Sequence, residues 1–148
     1  MATYNHIGQV VTDLNRSKRF YQDVLGFKLW YEFQAPEEAT AKLLSLPSPV
    51  GLTAAYMTLD GLVLELLHYA APGAASAFRR RSMNEPGLTH LSISVDDINA
   101  TAKKAVEYGG QMIAESDIGF ALFIRDPDGQ LLELLPTSSR ADLPPKPP

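Results

Sequence analysis

The 148-residue sequence predicts an α+β protein built from two tandem βαβββ modules. Three observations carry this prediction. The chain repeats itself at two different shifts. Each copy reads as a strand, a turn with capping residues, a helix ending at glycine, and further strands. Each copy also places one histidine and one glutamate at equivalent points.

Composition sets the frame for this reading. Hydrophobic residues at 45% and charged residues at 20% are those of a globular protein that buries a real core. The length suits one domain or two fused small modules. A net charge of −4 opposes a nucleic-acid partner, whose phosphates need a basic face. The absence of cysteine excludes disulfides, thiolate metal sites and thiol nucleophiles together. No apolar run approaches the ~20 residues of a membrane span, and the start lacks a charged-then-apolar signal. No membrane partner is therefore expected, and a cytoplasmic location is the expectation.

The first repeat aligns His6-Ile7-Gly8-Gln9-Val10-Val11-Thr12-Asp13-Leu14 with His90-Leu91-Ser92-Ile93-Ser94-Val95-Asp96-Asp97-Ile98. At this shift of 84 positions, Gly26 also falls on Gly110. The first helix presents Ser17, Phe20, Tyr21, Val24 and Leu25 on one side, and the second presents Ala102, Ala105 and Val106. Gly26 and Gly109-Gly110 supply the left-handed stop a helix end often needs.

The second repeat is tighter. Residues Asp60 to Leu67 (DGLVLELL) return as Asp128 to Leu135 (DGQLLELL) at a shift of 68. Asp-Gly signals a two-residue hairpin turn, because both central positions favour positive φ. Each copy should thus close with a hairpin whose second strand carries one glutamate among leucines. The modules span about 3–70 and 88–136 within a single domain, 3–136. Residues 71–87 form a linker, expected to be helical near Ala74–Met83. The first module has a longer middle, Phe33 to Gly51, read as a loop or short helix. Residues 137–148, with four prolines in the last five positions, read as a flexible tail.

Side chains alternate along a strand, so Glu65 shares its face with Val63 and Leu67, and Glu133 with Leu131 and Leu135. A carboxylate on an apolar face is costly to bury unless something pairs with it. A lone histidine or a lone Leu-Glu-Leu is more often structural. Two of each, in register in a duplicated unit, point to a shared partner. One divalent metal ion held by His6, Glu65, His90 and Glu133 satisfies them, since two carboxylates balance its charge and mixed N/O donors suit Ni, Co, Mn, Fe or Zn. Open positions would remain for a small-molecule substrate with adjacent oxygens. His68 reads as outside this set, with contact to substrate as the alternative. Arg79-Arg80-Arg81 reads as a solvated helix face, with an anionic substrate tail as the alternative.

On these residues the sequence resembles the vicinal-oxygen-chelate superfamily, which holds glyoxalase I, methylmalonyl-CoA epimerase, extradiol dioxygenases and the bleomycin- and fosfomycin-resistance proteins. The resemblance runs from Tyr4 to Pro136. It is most specific at His6-Ile7-Gly8, at Asp13 to Phe27 with its Phe20-Tyr21 and Leu25-Gly26-Phe27, and at Asp126-Pro127-Asp128-Gly129 leading into Leu132-Glu133-Leu134. It implies the glyoxalase-like fold, in which the two modules form curved mixed sheets around a metal-binding cleft. The order His, Glu, His, Glu matches bacterial glyoxalase I, whereas epimerases typically carry Gln where Glu65 stands. The segment Leu67 to Pro72 lacks the asparagine that helps hold glutathione in glyoxalase I, and the linker Pro72 to Glu85 looks more like that of an epimerase. The implied activity is that of a lyase or isomerase in which Glu133 or Glu65 abstracts a proton next to a metal-chelated carbonyl. The alternatives on the same scaffold are an Fe(II) extradiol dioxygenase and a non-catalytic resistance protein with Trp30, Tyr31, Phe33, Tyr56 and Phe120 lining a ligand cleft. The resemblance also implies a homodimer.

Overall fold

The computed structural model describes residues 1–142 apart from 72, 76–78 and 80. The first copy runs β1 (Ile7–Val10), α1 (Leu14–Arg19) continued by π-helical turns over Phe20–Val24, β2 (Lys28–Gln34), α2 (Glu37–Leu44), β3 (Leu52–Leu59) and β4 (Leu62–Tyr69). The second runs β5 (Leu91–Val95), α3 (Ile98–Glu107), β6 (Gln111–Ile113), a 3-10 turn at Ala114–Ser116, β7 (Leu122–Arg125) and β8 (Leu131–Pro136). Two four-stranded mixed sheets result, ordered β1-β4-β3-β2 and β5-β8-β7-β6. In each sheet the first strand lies parallel to the last, and the remaining pairs are antiparallel. The chain divides into two compact units, Met1–Gln22 with Gly26–Ala77, and Asp23–Leu25 with Phe78–Pro148.

The duplicated capping signals do what their chemistry predicts. Asp13 accepts a hydrogen bond from the Arg16 backbone N–H at 2.9 Å, and Asp97 accepts one from that of Ala100 at 2.8 Å. Gly26 (φ 79°) and Gly109 (φ 85°) take the left-handed conformation that ends each helix. From cap to glycine the first copy is one residue longer, and the π-helical turns absorb the extra residue. Ser17, Phe20, Tyr21, Val24 and Leu25 are buried as the first stripe predicts. In α3, Ala102 and Ala105 are fully buried, but Val106 is 51% exposed. The apolar stripe there is narrower than expected, two small residues that let the helix lie close, with Val106 at its margin.

Alternation along β4 and β8 sorts the side chains. Leu64 and Leu66, and likewise Leu132 and Leu134, are fully buried. Glu65 and Glu133 lie between them in sequence and so project from the opposite face. A one-residue slip would lose roughly 1.5–3 kcal/mol for each leucine exposed and would bury a carboxylate. Leucine burial therefore fixes where the glutamates point.

The two hairpins differ. In the first, Asp60 (φ 52°) and Gly61 (φ 83°) form the expected two-residue turn between Leu59 and Leu62. In the second, only Gly129 has positive φ, and the loop is longer. The Asp126 N–H bonds to the Gln130 carbonyl at 3.0 Å, and the Gly129 N–H to the Asp126 carbonyl at 3.0 Å. The buried Asp126 side chain also accepts from the Asp128 and Gln130 N–H groups. Proline at 127 presets the first turn residue, and the carboxylate satisfies the loop's own backbone, so this copy closes through a three-residue loop.

The long middle of the first module contains the short helix α2. At its start Glu37 accepts from the backbone N–H groups of Val50 and Gly51 and from the Ser48 hydroxyl, latching the returning loop to the helix. In the linker, none of the described residues from Ala74 to Met83 is helical; Pro72, Ser76, Ala77, Phe78 and Arg80 fall outside the described residues. Thr137–Asp142, assigned by sequence to the flexible tail, form 3-10 turns directly after β8. Residues 143–148 lie outside the described part.

The Val50 and Gly51 N–H groups hold the Glu37 carboxyl below the usual carboxylate range. Because the folded-state value is depressed, its contribution is present above the ordinary glutamate range and is lost as pH falls through the folded value. Urea midpoints measured between pH 7 and pH 3 should therefore fall less steeply in Glu37→Gln than in wild type.

Candidate functional site

In each unit, parallel pairing of the first strand with the last sets a histidine beside a glutamate. Gly8 is the register partner of Glu65, and Ser92 that of Glu133. His6 and His90 stand two residues before those partners and so return to the same face. His6 Nε2 lies 3.0 Å from Glu65 Oε2, and His90 Nε2 lies 3.5 Å from Glu133 Oε2. All four predicted ligand residues are thus found in His–Glu pairs. Among the described residues, no three His, Asp or Glu side chains gather into one metal-holding group.

The residue before each histidine orients it. The Asn5 side-chain oxygen bonds to His6 Nδ1, and the Thr89 hydroxyl lies 2.8 Å from His90 Nδ1. The Asn5 oxygen only accepts, so His6 Nδ1 donates to it and Nε2 is the ring atom left facing the Glu65 carboxylate. An approach of Nε2 to a carboxylate oxygen at 3.0 Å places a proton or a cation between them. Imidazole held at Nδ1 by an oxygen, with Nε2 free beside a carboxylate, is the donor arrangement of a metal ligand pair. The residues of each pair therefore fit a divalent ion of the N/O-preferring kind.

Aromatic rings wall both pairs, and here the copies diverge. Tyr56 is the cross-strand partner of Glu65, and Phe123 that of Glu133. Their rings meet His6 and His90 edge to face at 5.6 and 5.4 Å. Tyr56 carries a hydroxyl beside Glu65, its register partner; Phe123 carries none. Burial pushes the Tyr56 phenol up, followed by its hydrogen bond to Glu65 and the negative charge there. Tyr69, on the same face of β4, is likewise pushed up by burial and by the charge of Glu65. The Glu65 side chain is 12% exposed and that of Glu133 24%. Gly8 leaves room beside the first pair, since an added Cβ would meet Leu67 Cδ1 at 3.3 Å and Glu65 Oε2 at 3.8 Å.

The remaining candidates lie elsewhere. His68 is three residues beyond Glu65 and points to the other face of β4, paired with Thr53. Arg79 forms an ion pair with Glu85 at 2.7 Å, and Arg81 donates to the carbonyls of Glu85, Pro86 and Leu88. Both are engaged in holding their own loop; Arg80 lies outside the described residues. Asn5, Thr89 and the Tyr56 hydroxyl escaped the sequence reading as partners of the ligand residues. A signal for Tyr56 existed: a two-residue turn at Asp60-Gly61 forces position 56 opposite 65.

With this geometry described, likeness to known proteins is informative. The family model of the Glyoxalase/Bleomycin resistance protein/Dioxygenase superfamily matches residues 3–134. A lactoylglutathione lyase of Haemophilus influenzae is 30% identical over 135 residues, covering 87% of this chain and 88% of that protein. The mitochondrial methylmalonyl-CoA epimerase of Bos taurus is 25% identical over 111 residues, covering 75% of this chain and 57% of that protein. The crystal structure of a glyoxalase family protein from Bacillus cereus superposes with a TM-score of 0.76 at 21% identity, covering 90% of this chain and 93% of that one. At that identity the superposition shows the fold alone.

A phenol hydroxyl donating to a carboxylate is a class of hydrogen bond worth about 1.5–3 kcal/mol. In metal-free protein Tyr56→Phe should lower unfolding free energy by about that amount, measured by urea denaturation at neutral pH. An unchanged midpoint would show that the hydroxyl does not hold Glu65.

Proposed function

This chain belongs to the Glyoxalase/Bleomycin resistance protein/Dioxygenase superfamily, and on that premise we propose that it is a divalent-metal-dependent lyase or isomerase abstracting a proton next to a carbonyl. The observation that supports this most is the repeated His–Glu pair, each imidazole held at Nδ1 by a neighbouring oxygen with Nε2 facing the carboxylate. The ligand set of this reading is His6, Glu65, His90 and Glu133, and the ion is drawn from Ni, Co, Mn, Fe and Zn. When bound, that ion supplies Lewis acidity toward the adjacent oxygens of a small carbonyl substrate. Lactoylglutathione lyases and a methylmalonyl-CoA epimerase among the relatives favour a thioester or thiohemiacetal substrate. A homodimer is part of the same reading.

The base is Glu133. Glu65 is held by His6 on one side and by the Tyr56 hydroxyl on the other, and is the less exposed of the two. Glu133 faces a phenyl ring, stands farther from its histidine and is more open. It is the carboxylate with freedom to turn toward a substrate carbon. There it accepts the proton, the C–H electron pair moving toward the carbonyl oxygen. The carboxyl then returns the proton to the neighbouring carbon, as an isomerising lyase requires; an epimerase requires a second proton donor on the opposite face of the same carbon. The Phe123 ring shields this transfer from water.

Two measurements test the reading. Protein reconstituted with Ni, Co, Mn, Fe(II) or Zn should retain about one tightly held ion per set of four ligands. His6→Ala should lose that ion, and a His6→Ala protein that keeps it would remove the metal assignment. Solvent deuterium exchange into methylglyoxal hemithioacetals and 2-substituted acyl-CoAs, followed by NMR, reads the shared proton-transfer step directly. Glu133→Gln should slow exchange by about 10²–10⁴-fold with the fold intact, and Glu65→Gln should reduce metal retention first. Near-normal exchange in Glu133→Gln would show that the base lies elsewhere.

A further inference from the structure

The first unit carries an aromatic surface that the proton-transfer chemistry does not use. Its origin is a register shift in the pairing of β2 with β3. Leu29 pairs with Met57, yet Tyr31 pairs with Tyr56, so Trp30 is an extra residue at a bulge. Strict alternation would send Trp30 to the face opposite Tyr31. The bulge instead brings its ring 6.1 Å from Tyr56 and 6.4 Å from Tyr31, on the face that holds Glu65. Tyr31 and Phe33 then stack at 5.4 Å, and Phe33 and Tyr56 at 6.1 Å, with interplanar angles of 17° and 12°. Three near-parallel rings and one perpendicular indole form a continuous wall. Its outer members are open: Trp30 is 71% exposed and Tyr31 55%.

An exposed aromatic cluster of this size marks a binding surface, and Tyr56 identifies its occupant. The Tyr56 ring packs against both Trp30 and His6 and stands opposite Glu65 across the strands, so the wall and the first ligand pair share a side chain. A group lying on Trp30 and Phe33 is one ring's breadth from the place where a substrate's adjacent oxygens would sit. No lysine or arginine is part of the wall, so an anionic group is not what it selects.

We propose that this wall is the subsite for a flat conjugated group, an aromatic ring attached directly to the reacting carbonyl, and that the preferred substrates are aryl-substituted rather than methyl-substituted carbonyl compounds. This rests on the metal reading above for the position of the oxygens, while the wall itself stands on ring geometry.

Two small chelators separate the two ideas. Acetohydroxamate and benzohydroxamate both present adjacent oxygens, and only the second carries a ring. The chain has a single tryptophan, so quenching of its fluorescence reports on the wall itself. With zinc-loaded protein, benzohydroxamate should bind about tenfold or more tightly than acetohydroxamate and quench Trp30. Trp30→Ala and Tyr31→Ala, both at exposed positions, should bring benzohydroxamate down to the acetohydroxamate value by calorimetry. Equal binding of the two chelators to wild type would overturn the wall and leave the metal reading standing. The same tenfold preference with both affinities unchanged in metal-free protein would uphold the wall and sink the metal reading. Binding of neither chelator would overturn both. A wild-type dimer that Trp30→Ala converts to monomer in sedimentation would assign the surface to a second copy and overturn the proposal.

Discussion

The parallel pairing of β1 with β4, repeated in β5 with β8, is the constraint on which the rest of the molecule depends. Parallel strands cannot be joined by a tight turn and need a crossover, which α1 and α3 begin. Once the strands are paired, Gly8 lies opposite Glu65 and Ser92 opposite Glu133, and each histidine falls on the face of its carboxylate. What holds this register is the other side of the sheet. Leu64, Leu66, Leu132 and Leu134 are fully buried there, and any slip would trade them against a charge. The polar pairs are positioned by apolar residues that never touch them.

Duplication of this arrangement has not kept the two copies alike. In the first pair the two atoms stand closer, the glutamate is less exposed and a tyrosine lies opposite it. The second faces Phe123 and stands more open. A carboxylate accepting from a phenol and facing an imidazole is restrained, whereas one beside a phenyl ring turns at little cost. In the proposed chemistry the first glutamate holds and the second reacts, and one hydroxyl separates the two roles. The first copy also adds the bulged β2 with its aromatic rings, where the second has only the short β6.

Much of this was legible in the sequence because it rests on local periodicity. The repeats at two shifts, the Asp caps, the glycine stops and the leucine–glutamate alternation each follow from one residue's preferred geometry, and all reappear in the structure. The site residues were legible as types and faces: His6 and His90 at strand starts, Glu65 and Glu133 among leucines. His68 was separable from them by the same parity. What escaped was the set of partners around them. Asn5 and Thr89 carry no pattern of their own, and each gains meaning only once the adjacent imidazole is turned toward it.

By itself, the sequence determined the duplicated βαβββ plan, the two helices and the face on which each histidine and glutamate lies, because strand parity and helix period are properties of neighbouring residues. Tertiary structure decided who stands opposite whom. A two-residue turn at Asp128-Gly129 would have set Ile124 against Glu133. The Pro127 loop adds one residue and sets Phe123 there instead. The bulge at Trp30 likewise brings onto the Glu65 face a ring that alternation assigns to the other. In both places one inserted residue reverses parity, and whether a chain inserts it is settled by the hydrogen bonding of the loop or the partner strand that takes it up.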